Sequence, residues 1–478
     1  MPSEMNRREL LRLAAAGGAV YLAQDIRAWA GQEARSRLIS PGCRRSRVKV
    51  AKIYLGIGQS HYPNPELDLQ KEVRFYEAEF AKRKAELADV DFVVSELVGS
   101  VEQLNQLKGR LQDVDGVLVI HLTLWVMSIL NEILRLGRPT VVFSAPYSGH
   151  EWHTLSAIHK QKSGQNLVCI LSSDYGQLAS AIRPFRAIHH LREAKILNLT
   201  TRSFAKYAGQ VRDKFGTEIK QISLERVLDA YNGVGESEAK AEAAKWIKGA
   251  EAVVEPSQAE IVKSCRLALA FEKLLDEEEA TVMAVDCYGS MYGPLCRAHA
   301  FPCIGFTRLN DMGLGGICQS DLPCAMMHVL FQGLSGRPGF VSNPGFDFSR
   351  NSAVLIHCLG TTKMDGPAGP AAPYKLRSIM ERRQGAVPQV AMRVGQKVTQ
   401  AVLEGTSKLL YFTGRIIEAP DTDRGCRSKI IVEVDGDAER LWKSWSGGIH
   451  RVTCYGDLTE ELERFCRFQQ IEMVNEAV

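Results

Sequence analysis

Along this 478-residue chain the apolar positions fall into two rhythms. From Val48 onward, short continuous apolar runs rich in β-branched residues recur: "KVAKIYLGI", "VDFVVSELV", "GVLVIHLTL", "PTVVFSAP" and "NLVCILSS". Runs of this kind fit strands buried on both faces. The stretches between them, such as Leu67–Leu87 and Val101–Leu111, have helical spacing. Strands alternating with helices imply βαβ units and a parallel sheet, here over residues 48–193.

A second unit of the same texture covers residues 194–344. "AKILNLT" and "EIKQIS" read as strands around a helix from Phe204 to Phe215. Charged helices at Glu236–Gly249 and Gln258–Glu279, the strand "TVMAVDC" and a helix from Leu322 to Leu334 complete it. Over residues 345–478 the rhythm changes. "SAVLIHCLG", "QVAMRVGQKVTQAVLE", "KLLYFTGRII", "KIIVEVDG" and "IHRVTCYG" are strand-like pieces between turns, with few helix signals before Glu460. The expected fold is therefore two Rossmann-like parallel-sheet α/β domains followed by a C-terminal antiparallel β-barrel-like domain. Met364–Pro373, "MDGPAGPAAP", is a Pro-rich loop of the kind that often covers a site.

The first 47 residues do not share these rhythms. Arg7-Arg8 precedes a mild apolar stretch, Leu10–Ala23, and Ala28-Trp29-Ala30 resembles a cleavage site. That order predicts a twin-arginine signal peptide over residues 1–30, then a basic linker over 31–47. The twin-arginine translocase becomes an expected partner, and the location periplasmic or secreted. The apolar stretch is too short to span a bilayer, and no stable membrane span is expected.

Composition changes this picture little. Apolar residues are 45%, charged residues 24% and the net charge is +4, so a soluble globular chain of two to four domains is expected. Basic residues are dispersed apart from Arg44–Arg47, which argues against nucleic-acid binding. The twelve cysteines show no zinc-finger spacing, and Cys169 and Cys303 lie in apolar runs typical of buried thiols.

Three polar clusters stand at strand ends, where open α/β sheets bind ligands. "SAPYSGHEW" carries His150 and Trp152, a combination that fits either a sugar site or a capped helix. Asp286 ends "TVMAVDC" and is followed by "RLNDMGLGGICQSD", with Gln319 and Asp321. "VSNPGFDFSRNSAVLIHC" holds Asn343, Arg350 and His357, and His450 stands in "GGIHRVTCYGD". Asp286, Asp321 and His357 are the candidate catalytic or metal-holding residues. Gln319, Asn343, Arg350, His450, His150 and Trp152 are the candidate substrate-binding residues.

The order "LND-G…C-x-x-D…(helix)…GRP-F-x-x-(N/D)…H-C", within this three-domain layout, resembles the L-fucose and L-arabinose isomerase superfamily. The resemblance implies aldose–ketose isomerisation with a divalent metal, usually manganese, held by carboxylates and a histidine. It also implies a homo-oligomer acting on a sugar or sugar-containing compound. Carried over, the family's first carboxylate falls on Gln319, and its second falls 24 residues further on, at Asn343. The strand histidine falls on His357 and a C-terminal histidine on His450. Both carboxylate positions therefore hold amides, which bring no charge to a dication and accept no proton near neutral pH. Asp286 and Asp321 remain as substitute carboxylates. Isomerase-type chemistry leads. Metal-independent glycoside cleavage or epimerisation on the same fold is the first alternative, and a non-catalytic exported sugar-binding protein is the second.

Overall fold

The computed structural model describes residues 46–478. The expected signal, its cleavage site and nearly all of the basic linker lie outside the described residues. β1 (Val48–Leu55), β2 (Val90–Val98), β3 (Gly116–His121), β4 (Thr140–Ser144) and β5 (Leu167–Leu171) form one parallel sheet in the order β2-β1-β3-β4-β5. β1, β3 and β4 are almost wholly buried, which is why their sequences read as unbroken apolar runs.

β6 (Lys195–Leu199), β7 (Glu218–Gln221), the two-residue β8 (Ala252–Val253), β9 (Val282–Val285) and β10 (Gly315–Cys318) follow. Four of them make a second parallel sheet, β10-β9-β6-β7, and β8 pairs elsewhere. The helix Gln258–Glu277 beside this sheet starts at a reciprocal cap between Ser257 and Glu260. Gly316 in β10 sits against the helix Cys303–Asp311, and a Cβ there would stand 2.3 Å from the Phe306 Cα. Because backbone rather than a flexible side chain must give way, Gly316→Ala is expected to destabilise by about 1–3 kcal/mol. Chemical denaturation of the purified variant reads this; an unchanged midpoint would mean the helix is not pressed on β10.

The chain then enters β11 (Phe340–Asp347), β12 (Ser352–His357), β13 (Tyr374–Arg377), β14 (Val387–Val390) and β15 (Lys397–Glu404). β16 (Lys408–Glu418), β17 (Ser428–Val434), β18 (Arg451–Tyr455) and β19 (Glu472–Asn475) complete the strands. β15-β18-β11-β12-β17-β16 run antiparallel and close through β15–β16 into a six-stranded barrel, to which β19 adds in parallel. Phe340, Leu355, Phe412, Ile430 and Val432 belong to the core that includes its interior. The barrel thus begins at Phe340, ahead of residue 345, and Asn343 is a barrel residue.

"QVAMRVGQKVTQAVLE" is two strands, because Gly395 turns the chain at φ +84° between β14 and β15. β13 and β14 leave the barrel and join β8 of the middle unit in a small sheet. The Met364–Pro373 loop is anchored through Asp365 to Arg393, and the preceding Thr362 and Lys363 hold Asp311. The helix Thr459–Gln469 returns to the first unit, where Arg467 donates to the carbonyls of Leu167 and Gly164, and Arg183 pairs with Glu461. No helix among the described residues is long and apolar enough to cross a membrane. The eleven described cysteines are free thiols, and all but Cys169 are buried.

Candidate functional site

β9 and β10 end side by side, and their ends carry Asp286 and the turn Cys318–Asp321. Asp286 is buried and fully engaged. One oxygen pairs with Arg202 at 2.9 Å, and the other accepts from Thr200 Oγ1 at 3.1 Å and from Ser290 N and Oγ at 3.0 and 2.9 Å. Arg202 also donates to the Gln319 carbonyl at 2.8 Å. Asp286 is thus a bracket that holds Arg202 against the turn.

The turn itself is strained. Gln319 and Ser320 both take left-handed backbone, φ +58° and +52°, at about 1–3 kcal/mol each. Ser320 N donates to the Val285 carbonyl at 3.0 Å, closing the turn onto β9. Asp321 then caps the helix Leu322–Ser335: one carboxylate oxygen accepts from Cys324 N at 3.0 Å. Its other oxygen accepts from His450 Nδ1 at 3.0 Å.

The barrel supplies the facing half. His357 ends β12 and His450 immediately precedes β18, the two strands that flank β11. Their rings stack at 5.4 Å between centroids, 12° from parallel. In β11, Ser342 pairs with Arg451 and Asn343 with Ile356, so this part of β11 lies between the two histidines.

Hydrogen bonding assigns the two imidazoles different roles. Cys358 N donates to His357 Nδ1 at 2.7 Å, so the neutral ring carries its proton on Nε2. His450 Nδ1 donates to the Asp321 carboxylate, so in the neutral form of this ring the lone pair lies on Nε2. Both Nε2 atoms are buried without a partner, as are Ser320 Oγ, Asn343 Oδ1 and the Tyr207 hydroxyl. Tyr207 lies close enough for the Asp321 charge to reinforce burial in raising its pKa. Such orphans cost about 1–3 kcal/mol each, and their concentration at one junction marks a place for a polar ligand.

The charges follow from these contacts. Burial alone would push the Asp321 carboxyl up; the His450 hydrogen bond and charge, with the Cys324 N–H, outweigh it and hold the pKa below the usual range. Burial, reinforced by His450 and opposed by Asp321, lowers His357 to about 3. His190 falls to about 3 and His328 to about 4, in each case chiefly by burial. The folded chain keeps these three rings neutral, while the unfolded chain protonates them near the ordinary 6.5. Below that pH the unfolded state binds more protons, so the stability they contribute is complete above about pH 6.5 and declines toward pH 3. The thermal midpoint is expected to fall steadily between pH 6.5 and 4, with a shallower slope in His357→Asn. A flat profile would contradict the buried neutral rings.

Asp321, Gln319, Asn343, His357 and His450 therefore gather at the junction of the middle unit and the barrel, with Asp286 behind them. Arg350 does not join them. It occupies the turn at the far end of the β11–β12 hairpin, paired with Glu418 at 3.0 Å. Four residue steps along the strand, about 13 Å, separate Asp347 from Asn343. His150 and Trp152 belong to a separate cluster after β4. There Trp152 Nε1 donates to Ser144 Oγ at 3.0 Å, and His121 contacts both Ser144 and Glu151. His150 is exposed and its ring packs on Tyr62 and Trp152.

Among the residues to which the family resemblance assigns manganese, only His450, which donates from Nδ1 to Asp321 and keeps Nε2 without a partner, has the geometry of a metal-bound imidazole. Asp286 has both oxygens engaged, Gln319 and Asn343 are neutral, and His357 Nδ1 accepts a hydrogen bond. A metal-bound imidazole instead donates from its second nitrogen. Sequence reasoning missed Arg202, Tyr207, Ser320 and the Asp321–His450 pair. The first two follow β6 and carried no motif, and the pair joins residues of different domains.

No family model matches the chain. It is 27% identical over 173 residues to a sulfoquinovose isomerase of Clostridium sp. (strain MSTE9), an alignment covering 34% of this chain and 37% of that protein. The match thus spans little more than a third of that relative's length.

Proposed function

We propose that this chain is a sugar isomerase-like enzyme that interconverts an aldose and a ketose by proton transfer through an enediol. The observation that carries the reading is the Asp321–His450–His357 arrangement, with one basic and one donating Nε2 at the same junction. His450 Nε2 removes the proton from C2, and Asp321 stabilises the resulting imidazolium. His357 Nε2–H donates to the carbonyl oxygen at C1, a task suited to an imidazole held neutral by its surroundings. Proton return to C1 and loss of the C2 hydroxyl proton give the ketose. Gln319, Asn343, Ser320 and Tyr207 bind the sugar hydroxyls. The distant likeness to a sulfoquinovose isomerase supports sugar isomerisation in general and makes that sugar the first substrate to try.

Incubation with sulfoquinovose and neutral aldoses in D2O, followed by NMR, tests the proposal. Ketose formation with deuterium entering the product, at a rate that added manganese leaves unchanged, is expected. Exchange at one carbon with inversion and no ketose would replace it with epimerisation, and no exchange with any sugar would overturn it.

A further inference from the structure

One side-chain cluster beside this junction takes no part in the proposed chemistry. Cys358 follows His357 at the end of β12, and Cys426 lies just before β17, the neighbouring strand in which Ser428 pairs with His357. Glu381, in the loop between β13 and β14, reaches over both. Among the described residues these three form a group whose candidate ligand atoms lie within 4.8 Å of one another. The thiols are buried and the glutamate is exposed.

The distances within the group are specific. A tetrahedral zinc ion bound by two thiolates at about 2.3 Å sets the sulfurs about 3.8 Å apart, and sets sulfur to carboxylate oxygen at about 3.6 Å. Cys358 Sγ and Cys426 Sγ stand 3.9 Å apart, and Cys426 Sγ is 3.6 Å from Glu381 Oε1. The second Glu381 oxygen accepts from the Tyr288 hydroxyl at 2.5 Å, leaving Oε1 as a single donor oriented by an outer partner. Hydrogen bonds between thiols fit the same distances, so the two explanations divide on whether metal binds.

We propose that Cys358, Cys426 and Glu381 form a binding site for a thiophilic divalent cation of the zinc class, with the fourth position open to water. Two thiolates and one carboxylate select such an ion over manganese. Binding releases two thiol protons, one from each cysteine, as two sulfur–metal bonds form. The ion clamps the loop bearing Glu381 onto the barrel rim. It also fixes Cys358, whose N–H orients His357. The proposal is independent of the isomerase reading, because its readouts are metal content and spectrum.

The test uses the full purified chain, stripped with chelator and titrated with zinc or cobalt. One ion per chain is expected, and the cobalt form should show an intense thiolate-to-metal charge-transfer band. Cys426→Ser should abolish that band. Glu381→Gln, a change at an exposed position, should retain it with weaker binding. Tyr288→Phe should weaken affinity about 10-fold. Cys287→Ser serves as a control: its thiol lies 3.2 Å from Cys318 in the adjacent pair, and binding should be unaffected. Failure to bind zinc or cobalt, a cobalt spectrum without the thiolate band, or equal loss in Cys287→Ser would overturn the site. If Cys426→Ser does not fold, the Glu381→Gln and Tyr288→Phe affinities decide; both unchanged would overturn it.

Discussion

His450→Gln is expected to slow the proposed aldose–ketose interconversion by about 10²–10⁴-fold, the usual contribution of a positioned general base, while sugar affinity changes little. His450 directs Nδ1 at Asp321 at 3.0 Å, which leaves the buried, unpartnered Nε2 of the neutral ring as the atom that can take a proton. Glutamine retains a donor for Asp321 but accepts no proton at neutral pH. Asp321→Asn should cost a comparable factor for a different reason. Its amide can donate to His450 Nδ1, which moves the ring proton to Nε2 and removes the lone pair. Because the two residues act as a unit, the double variant should be scarcely slower than either single variant. Steady-state rates with circular dichroism as a folding check read all three. A His450→Gln enzyme with more than a tenth of native kcat would remove His450 from the chemistry, and multiplying losses would mean that Asp321 and His450 act separately.

The double change Gln319→Glu with Asn343→Asp should strengthen manganese binding at least 100-fold over the native chain. The resemblance places the family's ligating carboxylates at these positions. Both positions hold neutral amides, and the neighbouring Asp286 is already paired with Arg202, Thr200 and Ser290. Two charged oxygens supply what a hard dication needs. Without metal, the same two carboxylates repel each other, so binding of the proposed sugar substrate should weaken. Calorimetry with manganese on both proteins measures the difference. Tight native binding would mean that Asp286 or Asp321 holds the metal in place of the two amides. No gain in the variant would mean that positions 319 and 343 do not face one another.

The sequence by itself determined the layered architecture. Buried parallel strands must be apolar along their whole length, so β1, β3, β4 and β9 announce themselves without reference to the rest of the chain. It also placed Gln319, Asp321, Asn343, His357 and His450 on a short list, because polar residues there interrupt or end apolar runs and the family resemblance falls on four of them. Arg350 made the same list and lies at the other end of its hairpin, since local sequence does not say which end of a hairpin faces a crevice. The two-residue β8 was invisible because so short a strand has no periodicity, although it joins the middle unit to β13.

Only the tertiary structure decided what the short list does. The bond from His450 to Asp321 spans 129 residues and two domains, and no spacing rule reaches that far. The His357 tautomer depends on one backbone N–H aimed by the end of β12, and its low pKa depends on burial by neighbours from several elements. Periodicity follows from which face of an element is buried, and a sequence records it residue by residue. Proton positions follow from contacts between distant segments, and those exist only once the barrel has closed against the second sheet.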